Sequence, residues 1–445
     1  MELNEFLKNA AHVKPSARQL SWYDTEFYAF VHFTVNTYTN LEWGLGTEDE
    51  AIFNPVELDC DEWARAIKSA GMKGVVITAK HHDGFCLWPS AYTEHSVKNS
   101  PWKNGKGDVV RECADACRRA GLKFGVYLSP WDRNSKLYGT PEYNDYYCNQ
   151  LTELLTNYGE LFMVWFDGAC GEGPNGKKQV YDFPRYISLI RQYQPNAVIF
   201  NDFGPDVRWC GNEAGSARRA EWAVVPGEFC YRSEKQTNGA MFDGDLSFVY
   251  NCDQNIGELQ NILYSKQLAF CGAEIDMSIR DGWFYHANEE PHSLERLFNT
   301  YVNACGHNTG FILNIPPMPS GRFDPRDIER LKELGEAIRE NFGEEKKVPC
   351  TVRKLETGVP TQFKYEITLP DDTDIAWVEL KENIAEGQRV ESFRLFRESQ
   401  SIYEGFTIGH RQLCRLNNVK TDKLTLFITC ARDEVDLASV VVYEK

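Results

Sequence analysis

The sequence lacks the features that mark zinc-binding, dinucleotide-binding and membrane-spanning proteins. Its 14 cysteines are scattered, with no CxxC pair and no Cys/His series at zinc-ligand spacing, so we expect reduced thiols. No GxGxxG motif opens a helix, which disfavours a dinucleotide-binding fold. The first 20 residues contain no long apolar stretch. We therefore expect no secretory signal, no membrane span and a cytoplasmic protein.

Positive charge is also scarce. The 445 residues carry 48 Lys and Arg against 65 Asp and Glu, a formal net charge of −17. Such a chain repels nucleic acid and anionic membranes, so neither is an expected partner. The chain is longer than one core ordinarily supports, and its hydrophobic content of 42% is ample for burial. These properties predict a large domain accompanied by a smaller one.

A helix, a glycine and an apolar strand recur along the first part of the chain. In DEWARAIKSAGMKGVVITAKHHDGF and VRECADACRRAGLKFGVYLSPWDRN, apolar residues at helical spacing end at Gly71 and Gly121, which suit left-handed C-caps. The runs that follow, GVVITA and FGVYL, are almost wholly apolar, as in parallel strands covered on both faces. Two looser units extend the series between FYAFVHF and GFILNIPP. We therefore predict an α/β fold, a (β/α)8 barrel over residues 1–345.

The pattern changes after residue 345. The short runs FKYEITL, IAWVEL, SFRLF and LTLFITC are rich in β-formers and are separated by polar turns. This arrangement is typical of an antiparallel sandwich. We predict a β-sandwich domain over residues 350–445, following the barrel.

Polar residues collect where the predicted strands end, and barrel enzymes carry their catalytic groups at those ends. Asp167 ends the apolar stretch FMVWFDGA, where an unpaired carboxylate would be costly to bury. A turn or cap role is the alternative for Asp167, but the strand-end position favours a functional one. The other strand-end groups are His32, Lys80, His81, His82, Asp83, Trp131, Asp132, Arg133, Trp165, Asn201, Asp202 and Asn314.

The sequence His81-His82-Asp83 admits three interpretations. Imidazole and carboxylate can ligate zinc or iron, but adjacent strand residues point to opposite faces and no third ligand of matching spacing is evident. The rings could instead hydrogen-bond substrate hydroxyls, or be held in the core by a backbone carbonyl. We rank hydroxyl binding first, a core role second and a metal site third.

Aromatic residues beside these polar groups suit a sugar ring. Trp165 lies two residues before Asp167, so both side chains leave the same face of a strand. Trp43, in the loop-like stretch TNLEWGLG, is the more plausible contact residue because its burial is not assured. Core packing is the alternative for Trp165.

Hydrolysis of a glycoside would need a second carboxyl group. Glycosidases of the common kind flank the bond with two acids, one ionised and one protonated. Glu213, Glu221 and Glu228 follow the predicted strand AVIFND, and their spacing does not choose among them.

Five motifs in register give the chain a family resemblance. FVHFTVNTYTNLEWG, AKHHDGFCLW, KFGVYLSPWDRN, VWFDGA and GPDVRWCGNEAG together resemble glycoside hydrolase family 29, the α-L-fucosidases, from about residue 26 to about residue 316. The resemblance implies a retaining hydrolase with Asp167 as nucleophile. In the branch whose members read GPDxRWxGNE, the glutamate is the acid/base, which here is Glu213. That branch is associated with α-1,3 and α-1,4 fucosyl linkages.

The resemblance further implies a fucosylated oligosaccharide as substrate, with no metal and no cofactor. The resemblance implies a fucose pocket lined by His32, Glu42, Trp43, His81, His82 and Trp165. The strand-end pattern adds Trp131 to this predicted lining. The stretch VYLSPW differs from the sequence that most family members have at this position, so Tyr127 is left out of the predicted site. Two rival functions remain: a glycan-binding protein without catalysis, and a metal-dependent hydrolase built on His81, His82 and Asp83. The sequence does not set the oligomeric state.

Overall fold

The computed structural model describes residues 3–228, 230, 256–263 and 265–445. None of the 13 cysteines among them forms a disulfide, and Cys252 lies outside the described residues. Within the described part of the chain, no helix combines the length and apolar character that crossing a bilayer requires. The cytoplasmic location stays a prediction.

Eight parallel strands close into a barrel in the order β1-β10-β9-β6-β5-β4-β3-β2. Two further strands, β7 and β8, form an antiparallel pair outside it. The strands are β1 (Phe27–Val31), β2 (Gly74–Lys80), β3 (Lys123–Leu128), β4 (Met163–Trp165), β5 (Val198–Asn201), β6 (Val207–Trp209), β7 (Val224–Pro226), β8 (Leu268–Phe270), β9 (Gly272–Ser278) and β10 (Thr309–Asn314). The predicted barrel is confirmed.

Helices connect most of the barrel strands on the outside. Several begin at a side-chain cap, such as Asp59, Asp108 and Asp324, whose carboxylates accept hydrogen bonds from first-turn amides. Gly71 and Gly121 have the left-handed conformation that the sequence predicts, with φ of 84° and 70°. The helices are α1 (Leu3–Ala11), α2 (Ala17–Thr25), α3 (Asn36–Thr39), α4 (Cys60–Ser69), α5 (Val109–Ala120), α6 (Glu142–Asn157), α7 (Phe183–Tyr193), α8 (Leu259–Ile262), α9 (Leu294–Cys305) and α10 (Pro325–Phe342).

The barrel departs from eight regular βα units on one side. Residues 202–206 alone join β5 to β6, without a helix. The β7–β8 pair and the four-residue helix α8 stand between β6 and β9 in the described residues. The strands are nevertheless parallel throughout, and their C-terminal ends face one way.

The C-terminal part forms an antiparallel sheet wrapped around its own core. Two 20-residue strands, β13 and β16, pair along most of their length and carry buried side chains at alternate positions. Strands run in the order β11-β17-β13-β16-β14-β15, with β12 on β13. They are β11 (Lys347–Val348), β12 (Thr351–Leu355), β13 (Phe363–Glu382), β14 (Val390–Arg397), β15 (Gln400–Gly405), β16 (Gln412–Ala431) and β17 (Leu437–Glu444). The predicted all-β sandwich is confirmed, while its boundary at 345–350 stays a prediction.

The sheet packs against the end of the barrel where the strands begin. Arg411 lies between Glu26, just before β1, and Glu379 of β13, at 3.1 and 2.8 Å. Asn308, just before β10, accepts a hydrogen bond from the His410 amide at 2.7 Å. The β-domain therefore buttresses the N-terminal face of the barrel and leaves the C-terminal face for the site.

Candidate active site

A cavity of about 170 Å³ lies at the C-terminal ends of the barrel strands. Larger cavities occur on the molecule, such as one of about 830 Å³ on the β-domain, but this one is where carboxyl groups and aromatic rings converge. Asp167 and Glu213 both line it, as do most of the predicted residues. The full lining is Phe30, His32, Glu42, Trp43, His81, His82, Tyr127, Trp165, Asp167, Ala169, Glu213, Asp276 and Trp283.

Asp167 follows strand β4 and is fixed from two sides. The Tyr127 hydroxyl donates to Oδ2 at 3.0 Å and the Ala169 amide donates to Oδ1 at 2.7 Å. His82 Nε2 lies 3.8 Å from Oδ2. The carboxylate thus closes a tight turn and faces the cavity at the same time. The turn role and the functional role considered for Asp167 are therefore compatible.

Glu213 lies in the loop after β6 and reaches the cavity from its mouth. The residue as a whole is exposed, but its carboxyl end lies within the cavity, where Trp283 Nε1 donates to Oε2 at 3.2 Å. Burial raises the pKa of Glu213 above its ordinary value, the Trp283 hydrogen bond opposes this, and the charges of Asp167 and Glu42 raise it further. The protonated form is therefore favoured to higher pH than in an ordinary glutamate.

The other two candidate glutamates are engaged elsewhere. Glu221 is fully buried between Arg208 and Arg218, at 2.7 and 2.8 Å, and these cations hold its pKa below its usual range despite the burial. Glu228 accepts hydrogen bonds from the Ser265 hydroxyl and the Lys266 amide beside the β7–β8 pair. Neither glutamate lines the cavity.

Three histidine rings line one wall of the cavity. Strand β2 ends at Lys80, so His81 and His82 are free of the strand's alternation and their ring centroids lie 4.1 Å apart. His32 Nδ1 lies 2.8 Å from Asn314 Oδ1, and His82 Nδ1 lies 2.7 Å from Ser129 Oγ.

The environment keeps these rings neutral. Burial lowers the pKa of His32 to about 3 and lowers the pKa values of His81 and His82 as well. A neutral imidazole offers one donor and one acceptor, which matches a sugar hydroxyl. His81 Nδ1 is buried and has no hydrogen-bond partner among the described residues, which leaves it for a bound molecule.

The metal interpretation finds no support in the geometry. Asp83 accepts hydrogen bonds from the Thr34 hydroxyl at 2.9 Å and from the Phe85 amide at 2.7 Å. Over the described ranges, no group of three or more His, Cys, Asp or Glu residues is placed to hold a metal ion.

Aromatic rings form the floor and the rim. Trp165, on the floor, stacks on Phe200 with centroids 4.2 Å apart and donates from Nε1 to buried Glu274 at 2.9 Å. Trp43, at the rim, is 58% exposed. Trp131 is not part of the lining; its ring centroid lies 4.8 Å from that of His82 and 5.5 Å from that of Trp43.

Glu42 ties the rim loop to the loop after β9. Its Oε2 accepts a hydrogen bond from the Trp283 amide at 2.8 Å, and its Oε1 lies 2.6 Å from His286 Nε2. The carboxylate thereby fixes the position of Trp283, the residue that holds Glu213.

Two lining residues on and after β9 lie outside the predicted site. Asp276 belongs to the strand sequence GAEIDMS, with the buried Glu274 two residues before it, and Trp283 belongs to the loop that follows. Two acids at alternate positions in an apolar run, followed by RDGW, are the signal in the sequence that could have identified this strand. Tyr127, which was left out of the predicted site, lines the cavity and contacts Asp167.

Comparison with known proteins shows which family the chain belongs to. A family model described as alpha-L-fucosidase matches residues 10–343, most of the chain. The chain belongs to the alpha-L-fucosidase family. The protein is therefore a glycoside hydrolase. This confirms the predicted enzyme class rather than the alternative of a glycan-binding protein without catalysis.

Individual relatives match over nearly the whole chain. Alpha-L-fucosidase 1 of Arabidopsis thaliana is 39% identical over 96% of this chain and 87% of its own length. The crystal structure of a glycoside hydrolase 29 family member from an unknown rumen bacterium is 40% identical, with a TM-score of 0.84 over 98% of this chain and 78% of the other. A Ruminococcus gnavus fucosidase of the same family, in complex with fucose, is 27% identical with a TM-score of 0.80, covering 98% and 95%.

Proposed function

We propose that this fucosidase releases terminal α-L-fucose with retention of configuration, through a covalent intermediate on Asp167. The observation that carries the proposal is the placement of Asp167 and Glu213 in one sugar-sized cavity with unlike surroundings. Asp167 accepts two hydrogen bonds, whereas burial and neighbouring negative charge favour the protonated form of Glu213. A nucleophile and an acid need this difference.

The reaction takes two steps in this arrangement. Asp167 attacks the anomeric carbon of fucose while Glu213 gives its proton to the departing glycosidic oxygen. Glu213, now ionised, then takes a proton from water, which attacks the same carbon and frees Asp167. Tyr127 holds Asp167 in place through its hydroxyl, and Trp283 holds Glu213 through its indole N–H.

The lining suits fucose in particular. Fucose carries a methyl group in place of a hydroxymethyl group, so its pocket needs an apolar wall as well as hydrogen-bond donors. Trp165, Trp43 and Trp283 offer such a wall, and the neutral histidines and Glu42 offer partners for the hydroxyls. The relative from Ruminococcus gnavus was solved with fucose, which supports the same ligand here.

Two variants and a control test the assignment of the acids. Asp167→Asn should abolish turnover while fucose still binds, and Glu213→Ala should lower kcat by about 10²–10⁴-fold on glycosides with poor leaving groups. Azide should restore the Glu213→Ala variant, because the small anion replaces the missing carboxylate. Glu228→Gln is the matched control and should keep wild-type activity. Proton NMR should show α-fucose as the first product; β-fucose first would contradict retention.

The linkage preference is a further part of the proposal. The motif GPDVRWCGNE, which contains Glu213, supports the branch that acts on α-1,3 and α-1,4 fucosyl linkages. We expect release of fucose from Lewis-type trisaccharides and slow or no release from α-1,2 and α-1,6 fucosides. Equal rates across a panel of these four linkages would contradict the preference.

A further inference from the structure

We propose that Asp276, a residue outside the predicted site, contacts the bound fucosyl unit and donates a hydrogen bond to one of its hydroxyls. The inference deepens the proposed function, since it takes the cavity of Asp167 and Glu213 as the fucose site. It adds a fourth carboxyl group to the three already assigned there, with a different task from each of them.

Asp276 reaches the cavity from strand β9. Glu274 and Asp276 occupy alternate positions of this strand, so both side chains point into the barrel. Glu274 is buried below and accepts the Trp165 indole N–H, whereas Asp276 lines the cavity and is 4% exposed. Its position is thus the wall of the pocket, one layer above the floor.

One oxygen of Asp276 is already held. Trp209 Nε1 donates to Oδ1 at 2.7 Å from the neighbouring strand β6. This contact fixes the plane of the carboxyl group and satisfies one acceptor. The Asp276 backbone amide also contacts the carboxyl group. Among the described residues no other residue donates to Oδ2, so this oxygen can face a ligand, and in a protonated carboxyl group it can carry the donor hydrogen.

The surroundings of Asp276 favour the protonated form. Burial raises the pKa of Asp276 well above its ordinary value, and the charges of Glu213 and Glu274 raise it further. The hydrogen bonds from Trp209 and from the Asp276 backbone amide oppose them. The Cys210 thiol, directly after β6, is a further acidic neighbour, and the charge of Asp276 raises its pKa. These three neighbours are acids, so they add no positive charge that would favour the carboxylate.

A protonated Asp276 would give the pocket a hydrogen-bond donor for a sugar hydroxyl. Asp167 and Glu42 offer acceptors to a sugar, and Glu213 keeps its proton for the glycosidic oxygen. In this water-poor wall a fucosyl hydroxyl facing Asp276 gains from a donor to its oxygen, because a buried hydroxyl oxygen without a partner is costly. The Asp276 O–H supplies that donor and also accepts, as a sugar hydroxyl does.

Calorimetric titration with L-fucose and its 2-, 3- and 4-deoxy analogues tests the contact. Asp276→Ala should weaken the binding of L-fucose by about 10- to 100-fold, the range for a lost hydrogen bond in a buried site. One deoxy analogue should bind the wild type and Asp276→Ala with equal affinity, because the contact is absent from both. Asp276→Asn should lose only a few-fold, since its amide keeps a donor for the sugar and an acceptor for Trp209.

A pH profile tests the protonation state of Asp276 separately from its contact with the sugar. Because Asp276 is neutral when Glu213 titrates, Asp276→Asn should move the alkaline limb of kcat/KM by less than about 0.5 pH unit. A larger shift to lower pH would mean that wild-type Asp276 is ionised, which overturns the donor role. Asp281→Asn, an exposed aspartate in the loop after β9, is the matched control, and thermal unfolding checks that each variant is folded.

The outcomes separate this inference from the proposed mechanism, because binding of fucose does not require catalysis. An equal loss of affinity for all four ligands, or Asp276→Asn binding as weakly as Asp276→Ala, would overturn the hydroxyl contact and leave the two-step mechanism standing. If instead Asp167→Asn turned over normally while one deoxy analogue cancelled the Asp276→Ala effect, the mechanism would fail and the contact would stand.

Discussion

Replacing Glu221 separates a structural carboxylate from the proposed catalytic one. Glu221 is fully buried and bridges Arg208 and Arg218, each of which has a side chain only 2% exposed. Glu221→Gln removes the negative charge and leaves two buried guanidinium groups without it. Breaking a buried ion pair in this way costs about 3–5 kcal/mol of folding free energy. We expect a marked fall in the melting temperature, with kcat per folded molecule close to that of the wild type.

Calorimetry and single-turnover kinetics on the soluble fraction measure the two effects separately. The arginines hold the pKa of Glu221 below its ordinary value, so its contribution to stability is complete above that value and is lost as pH falls through the lowered pKa. The stability difference between wild type and Glu221→Gln should therefore shrink below about pH 4. A variant that melts like the wild type but loses activity, and regains it with azide, would refute the structural role and move the acid/base from Glu213 to Glu221.

Three further predictions concern the cavity. Because the pKa of Glu213 is raised, activity should be lost on the alkaline side only as pH rises above the ordinary glutamate range; a limb below about pH 4.5 in kcat/KM would contradict this. Glu274→Leu leaves the indole N–H of Trp165 unpaired, which should cost about 1–3 kcal/mol and raise KM, whereas Glu274→Gln should keep KM near wild type; equal KM values in the two variants would contradict the role of the acceptor. In Gly168→Ala the added Cβ would lie 2.2 Å from Asp202 Oδ2, so either the Asp202 carboxylate or the turn after β4 must shift, and a shift of the turn should lower kcat by about 100-fold; an unchanged kcat would show that the Asp202 side chain moves aside instead.

Patterns of local origin were predictable from the sequence. The glycine caps at Gly71 and Gly121 and the apolar runs after them predicted parallel strands, and those strands are present. The strand-end rule then placed Asp167 and the histidines at one face, because a closed parallel barrel gathers all its C-terminal ends there. The short β-rich runs after residue 350 predicted the all-β part in the same way.

What depends on contacts distant in sequence was not predictable. Nothing in the spacing distinguishes Glu213 from Glu221, because the difference lies in their partners: an indole N–H in a cavity for one and two buried arginines for the other. Asp276 and Trp283 were missed because the described residues between β6 and β9 contain only the four-residue helix α8, so β9 does not follow a long helix as the repeated helix and strand units do.

Trapping the covalent intermediate tests the central claim most directly. A fluorinated fucosyl fluoride forms the fucosyl-enzyme quickly but hydrolyses slowly, so the adduct accumulates and can be located by mass spectrometry of peptic peptides. The account predicts one added fluorofucosyl group per molecule, on the peptide that contains Asp167, and no adduct in Asp167→Asn. An adduct on Asp202 or Glu213, or turnover without any adduct while fucose is released as the β-anomer, would contradict it.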